Sequence, residues 1–272
     1  MGNLKMQYPV IDSHCHVYPD KIAEKAVEGI SKFYDLPMCY DGKSSTLIEE
    51  SSKVGVCHNV IFSVATTPHQ VSSINSFIAD CVKMGEGRYT GLGSLHPETE
   101  NVKEEIDNIK KLGLKGVKLH PDFQKFRIDD ERLFPLYEAC SGNLPLLLHT
   151  GDYRYDFSNP ERMANVLIKF PELKVIGAHF GGWSVWDEAT ELLADFDNFY
   201  VDTCSSFHWL ERSKAVEIIN RYGADKVLFA TDFPMWSYEK EMEYFLSLNL
   251  SDEDNRKILY ENAAKLFDID LI

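Results

Sequence analysis

His14 and His16 stand two apart in the run PVIDSHCHV, residues 9–17. In an extended strand such side chains project to one face, about 6–7 Å apart, so both imidazoles can reach one ion at ~2.0–2.1 Å. Asp12 shares that register, and Cys15 points to the opposite face. His149 closes LPLLLH (144–149) and His179 closes KVIGAH (174–179). A polar side chain at the tip of a nearly continuous apolar run needs a partner, and a metal ion supplies one. Asp232 ends KVLFATD (226–232), where a carboxylate is costly to bury unless paired or metal-bound. A helix N-cap is its bland alternative, but Pro234 and Trp236 delay the next helix. Lys118 and His120 share a face of LKGVKLH (114–120).

These residues need elements to position them, and strand-like and helix-like segments alternate along the chain. The strand candidates are 9–17, 58–65, 88–95, 114–120, 144–149, 174–179, 199–204 and 226–232, each short and rich in Val, Ile or Leu. Between them lie amphipathic stretches such as VKEEIDNIKKLG (102–113), with Val102, Ile106, Ile109 and Leu112 on one face. Gly113 and Gly223 stop two of these helices just before a strand, and Ser251 opens a terminal one. Two architectures fit: a closed barrel and an open doubly wound sheet. The first strand ends in HCHVYPD, without the glycine-rich turn that often follows it in open sheets. Eight units in 272 residues match barrel size, so the expectation is an α/β fold, a (β/α)8 TIM barrel forming one domain over 1–272. Residues 34–53 read as an insertion.

Barrel active sites lie at the carboxyl ends of the strands. His14, His16, His69, His96, His120, His149, His179 and His208 all fall at or after such an end, and only His58 starts a strand. Helix caps and core histidines would not gather on one rim. His96 and His120 are better placed for the pocket than His69 and His208. Trp183, Trp186, Phe180, Phe207, Trp209, Phe233 and Trp236 follow strands six to eight, where they line a pocket mouth or pack loops on helices. Arg154 in GDYRYD can bind a substrate carboxylate or make a surface ion pair.

The formal charge is 28 − 43 = −15, which argues against a nucleic-acid backbone as partner. It says little about an anionic substrate, because a bound metal dominates the local field. No run is apolar enough to span a bilayer, and MGNLKMQYPV lacks the apolar core of an export signal and a myristoylation pattern. The six cysteines are scattered without a CxxC pair, so free thiols and a cytoplasmic location are expected.

The HCH pair, the strand-end His149 and His179, and ADKVLFATDFP (224–234) together resemble the amidohydrolase superfamily. The likeness is to the branch joining small hydrolases with aminocarboxymuconate-semialdehyde decarboxylase-like enzymes, and it runs through nearly the whole chain. The resemblance implies His14, His16, His149 and Asp232 as metal ligands, with His179 orienting or activating a water. Members with two metals add a carboxylated lysine on strand four, which here is Lys118. Lys118 can instead pair with a substrate carboxylate, and His120 can ligate. One Zn²⁺, or another divalent transition metal, is expected rather than two.

Zn²⁺ lowers the pKa of bound water to ~7, so Asp232 as proton acceptor and His179 as water or oxyanion holder suit hydrolysis of an amide or lactone. The alternative is non-oxidative decarboxylation of a small aromatic or enol acid on the same ligands. A non-catalytic metal-binding protein would not need the acid/base pair. Lys118, His120, Arg154 and Trp183 are the candidate substrate contacts. The expected partner is a small molecule, with no nucleic acid or membrane, and assembly into a homo-oligomer stays open.

Overall fold

Each of the apolar runs is covered on both faces, and the chain satisfies all of them at once by closing their strands into a ring. The computed structural model describes residues 8–270; the reading of the first seven as free of a signal lies outside them. The strands are β1 (Val10–His16), β2 (Val56–Phe62), β3 (Tyr89–Gly91, continued by Gly93–Ser94), β4 (Val117–Leu119), β5 (Leu146–Leu148), β6 (Val175–Gly177), β7 (Phe199–Asp202) and β8 (Val227–Leu228). Every pair is parallel, each strand beside the next. β3 passes from one partner to the other at Leu92, whose N–H donates to Ile61 O while Gly93 N–H donates to Gly116 O. Ser13 N–H to Phe229 O at 3.0 Å and His16 N–H to Phe233 O at 2.8 Å close the ring between first and last strands. The fold is the expected (β/α)8 barrel.

Helices α1 (Asp20–Tyr34), α2 (Ser44–Lys53), α3 (Val71–Met84), α4 (Val102–Lys111), α5 (Pro121–Gln124) and α6 (Phe134–Cys140) cover the first half. Helices α7 (Pro160–Lys169), α8 (Trp186–Leu193), α9 (Arg212–Tyr222) and α10 (Tyr238–Leu246) cover the second. In α4 it is Ile106 and Ile109 that are buried, and Gly113 takes the left-handed φ of 77° that ends the helix without a Cβ clash. The stretch read as an insertion carries α2, so two helices follow β1.

The terminal helix departs from expectation. It runs as α11 (Asp252–Arg256), a π turn (Lys257–Glu261) and α12 (Asn262–Phe267). The wider turn leaves Ile258 O free to accept from Phe229 N–H at 2.9 Å, and Asn262 Nδ2 donates to Ala224 O and Val227 O. The helix thereby plugs one end of the barrel, where Ala263, Leu266 and Phe267 pack on inward side chains Ile11, Val60, Leu92, Leu147, Ile176 and Leu228. On β4 the inward place belongs to Lys118, in register with Leu147.

One register expectation is corrected. A bulge between Asp12 and Cys15 breaks the alternation of β1. Asp12 therefore leaves the histidine face and joins Cys15 near Asn59 and Tyr238. Its buried carboxylate accepts from Thr231 N–H (3.0 Å), Thr231 Oγ1 (2.6 Å), Tyr238 OH (2.5 Å) and His14 N–H (3.1 Å). It clasps β1 to the segment after β8. Asp12→Ala strands these donors in a dry interior and should cost about 2–4 kcal/mol, read as a lower urea midpoint. An unchanged midpoint would remove the clasp from the barrel's stability.

Candidate metal centre

His14 and His16 end β1 on one face, and Lys118 on β4 and His120 just beyond it turn to the same space. His179 and Asp232 lie past their strands rather than in them, in left-handed turns with φ of 60° and 61°. Such turns cost non-glycine residues energy and recur where side-chain aim matters. Ser237, not Asp232, caps the helix that follows β8. These residues and His149 line one cavity of about 20 Å³, with Tyr34, Phe123, Met38 and Met235 completing its walls.

Hydrogen bonds on the outer edges of the rings fix which nitrogens face inward. His14 Nδ1 donates to Asp202 Oδ2 at 2.8 Å, leaving a lone pair on Nε2. His14 Nε2 lies 3.3 Å from His16 Nε2 and 3.5 Å from Asp232 Oδ1, which is 3.6 Å from His16 Nε2. Ligands ~2.0–2.1 Å from a tetrahedral ion stand about 3.3–3.4 Å from each other, so the three atoms have the spacing of a coordination face.

A second pair tells the same story. His179 Nδ1 donates to Cys204 O at 3.1 Å, so its Nε2 presents a lone pair. That atom is 2.9 Å from His149 Nδ1. Asp122 Oδ2, 3.4 Å from His149 Nε2, is too far for a full hydrogen bond yet favours the proton on that nitrogen. At 2.9 Å the pair is stable with a proton on His149 Nδ1 donated to the His179 lone pair, or with a cation between the two nitrogens. His149 Nε2, His16 Nδ1 and Asp122 Oδ1 are buried without a hydrogen-bond partner. The donor set fits a divalent metal ion.

Charge states agree with ligation. Burial, reinforced by neighbouring cations, holds His14, His16 and His149 well below the usual imidazole value. Burial also brings His179 down to about 4 and Lys118 down to about 8. Asp232 is pushed up to about 6 by burial, which the Ser205 hydrogen bond and Lys118 partly offset. Lys118 is fully buried, its Nζ 3.3 Å from His14 Nε2 and 5.0 Å from the centre of the Phe62 ring.

Several residues had no signal in the sequence. Asp202 orients His14, and its Oδ1 also accepts from His179 N–H at 2.9 Å. Ser205 Oγ donates to Asp232 Oδ2 at 2.5 Å while accepting from Trp236 Nε1 at 2.7 Å, which aims Oδ1 inward. Cys204, expected as an apolar filler, groups with His14 and Asp232. Tyr34 OH lies 2.9 Å from His120 Nε2, and His120 stacks on His149 with ring centres 4.0 Å apart.

Other expected residues sit elsewhere. Arg154 is outside the cavity lining, its guanidinium bound to Asp152 at 2.8 and 2.7 Å and to Phe33 O at 2.9 Å, among the rings of Phe33, Tyr34, Tyr155 and Trp183. His96 turns away to accept from Glu98 N–H. Trp183 and Trp209 line a narrow slot beside His179 and Asp232, whereas Phe180, Phe207 and Phe233 are core. Gly151 lets the loops after β5 and β6 touch, because a Cβ there would lie 2.5 Å from Gly182 and Trp183 backbone.

Against known proteins, a family profile described as amidohydrolase matches residues 11–269. The chain belongs to the amidohydrolase family. Among curated relatives of this amidohydrolase, γ-resorcylate decarboxylase of Polaromonas sp. is 28% identical over 245 residues, covering 71% of this chain and 74% of its own. A TIM-barrel protein from Bordetella bronchiseptica superposes with a TM-score of 0.79 at 22% identity, covering 96% of this chain and 99% of its own. A dihydroxybenzoic acid decarboxylase from Polaromonas sp., solved with manganese and the inhibitor 2-nitroresorcinol, superposes with 0.74 at 18% identity, covering 97% and 98%. The relatives favour the decarboxylase alternative over the expected hydrolase, and the metal named is manganese rather than zinc. No helix among the described residues is long and apolar enough to cross a membrane.

Two outcomes follow for metal binding. In Asp202→Asn the amide N–H₂ faces His14 Nδ1 and moves the proton to Nε2, so affinity should fall roughly 10–100-fold with the fold intact by circular dichroism. Because Asp232 must be ionised to ligate, affinity measured by calorimetry should fall as pH drops below about 6. Affinity flat from pH 7 to 5 would exclude Asp232 as a ligand.

Proposed function

We propose that this amidohydrolase is a metal-dependent decarboxylase of a small aromatic acid of the hydroxybenzoate class. The observation that carries the reading is the convergence of His14, His16 and Asp232 beside buried Lys118, in a cavity walled by flat rings. The γ-resorcylate decarboxylase likeness supports the reaction type.

In this reading His14, His16, His149 and Asp232 hold the ion. Manganese and zinc both suit imidazole with carboxylate. When bound, the ion polarises the oxygens of the substrate. Lys118 attracts the substrate carboxylate, and the rings of His120 and Tyr34, with Trp183 beyond, orient its plane. Arg154 is left out, since its donors are already engaged by Asp152 and Phe33. The bond between ring and carboxylate breaks, its electron pair stays on the ring carbon, and neutral CO₂ leaves. Loss of the anionic charge is easier in a dry site, and Ile30, Met38 and Met235 supply apolar walls. The ring carbon takes a proton that Asp232 first picks up from water as its hold on the ion loosens and then passes on, returning to the carboxylate; its raised pKa of about 6 suits that exchange near neutrality while Ser205 holds Oδ2. His179, its Nδ1 tied to Cys204 O, presents the Nε2 lone pair to the cluster and helps to hold the ion rather than the developing charge.

Hydroxybenzoates, γ-resorcylate among them, should release CO₂ when incubated with Mn²⁺- or Zn²⁺-loaded protein, and a chelator should abolish release. Asp232→Asn should lower kcat by at least ~10²-fold. Cleavage of lactones or amides with no CO₂ from any aromatic acid would overturn the proposal in favour of hydrolysis.

A further inference from the structure

The cavity at the metal centre, about 20 Å³, holds an ion or a single water but not an aromatic ring. A second cavity of about 360 Å³ lies directly beside it, between α1 and the loop after β2. That volume is in the range of small-molecule sites. The two cavities share His16, Ile30 and Phe123. The larger one is otherwise walled by Tyr18, Ala26, Gly29, Phe33, Val64 and Thr66, and its lining contains no Lys, Arg, Asp or Glu. On the opposite side, the slot between Trp183 and Trp209 offers only about 10 Å³.

We propose that this chamber is the subsite for an apolar substituent of the substrate. The inference rests on the aromatic-acid reading above and narrows it. The acid carries its carboxylate toward Lys118 and the ligands, its ring passes between Ile30 and Phe123, and an alkyl, alkoxy or aryl group occupies the chamber. Two features support this assignment. The chamber is the roomy space that touches a ligand, His16, and the absence of charge on its walls suits a group that gains from leaving water. A bare hydroxybenzoate, its ring reaching past Ile30 and Phe123, would fill it only in part.

Gly29 gives a direct test. A Cβ at this exposed helical position meets nothing within 4 Å, so leucine adds bulk at the chamber's rim without a clash. Leucine is the better helix former, so Gly29→Leu does not put α1 at risk. Calorimetry on the Mn²⁺-loaded protein would compare benzoate with 3-butyl- and 4-butylbenzoate. Full burial of one methylene is worth about fourfold in affinity, so in a half-open chamber one butyl isomer should gain roughly tenfold or more over benzoate. In Gly29→Leu that gain should shrink to roughly threefold or less.

No butyl gain in the natural protein, or a full gain persisting in Gly29→Leu, overturns the chamber assignment. If benzoate itself binds in that case, the aromatic-acid reading stands without the chamber. Failure of all three probes to bind the metal-loaded protein removes both together.

Discussion

A crowd of ring nitrogens and one carboxylate, buried within hydrogen-bond range of one another, is the constraint on which this barrel's rim depends. His14 Nε2, His16 Nε2 and Asp232 Oδ1 converge at 3.3–3.6 Å, and His149 Nδ1 meets His179 Nε2 at 2.9 Å. Left unprotonated, such acceptors repel each other and have lost their water. Lys118 offers one proton donor, to His14. A divalent cation answers the rest of the demand, which is why the arrangement reads as a binding site and not as a stabilising network.

The barrel keeps those groups aimed by holding the other edge of each ring. Asp202 on β7 fixes the tautomer of His14 on β1 and the backbone of His179 after β6, so three strands are registered by one carboxylate. Asp122 stands behind His149, and Ser205 with Trp236 aims Asp232. These supports come from the ends of β4, β7 and β8, with Asp202 and Ser205 both at the end of β7. The parallel register of β6 and β7 places Asp202 beside the His179 turn, and the closure of the ring brings it across β8 to His14. Asp12 does the same work one layer out, tying the histidine strand to the segment carrying Asp232.

Rings close the site from above. Tyr34, at the end of α1, reaches His120, and Arg154 packs the Phe33–Tyr34 corner against Trp183 while its charge is held by Asp152. The cation so placed acts as structural support for the enclosure. The enclosure leaves little room at the histidine cluster and much more beside α1, so shape as well as chemistry bears on what can enter.

The barrel and the candidate metal-binding side chains were legible in the order of the residues alone. Apolar runs covered on both faces demand a parallel sheet, and HCH at a strand end, with His149, His179 and Asp232 after their own runs, is visible from spacing alone. Bulges, left-handed turns and partners far along the chain decided the rest. Period two placed Asp12 beside the histidines, but the bulge in β1 turned it outward. Asp202 pairs with a residue 188 positions away, and Ser205 with one 27 away, so neither role leaves a local pattern. Arg154 looked free to bind a carboxylate because Asp152 and Phe33 converge on it only in three dimensions. Periodicity reports which face of an element is apolar; only the closed barrel determines which faces meet.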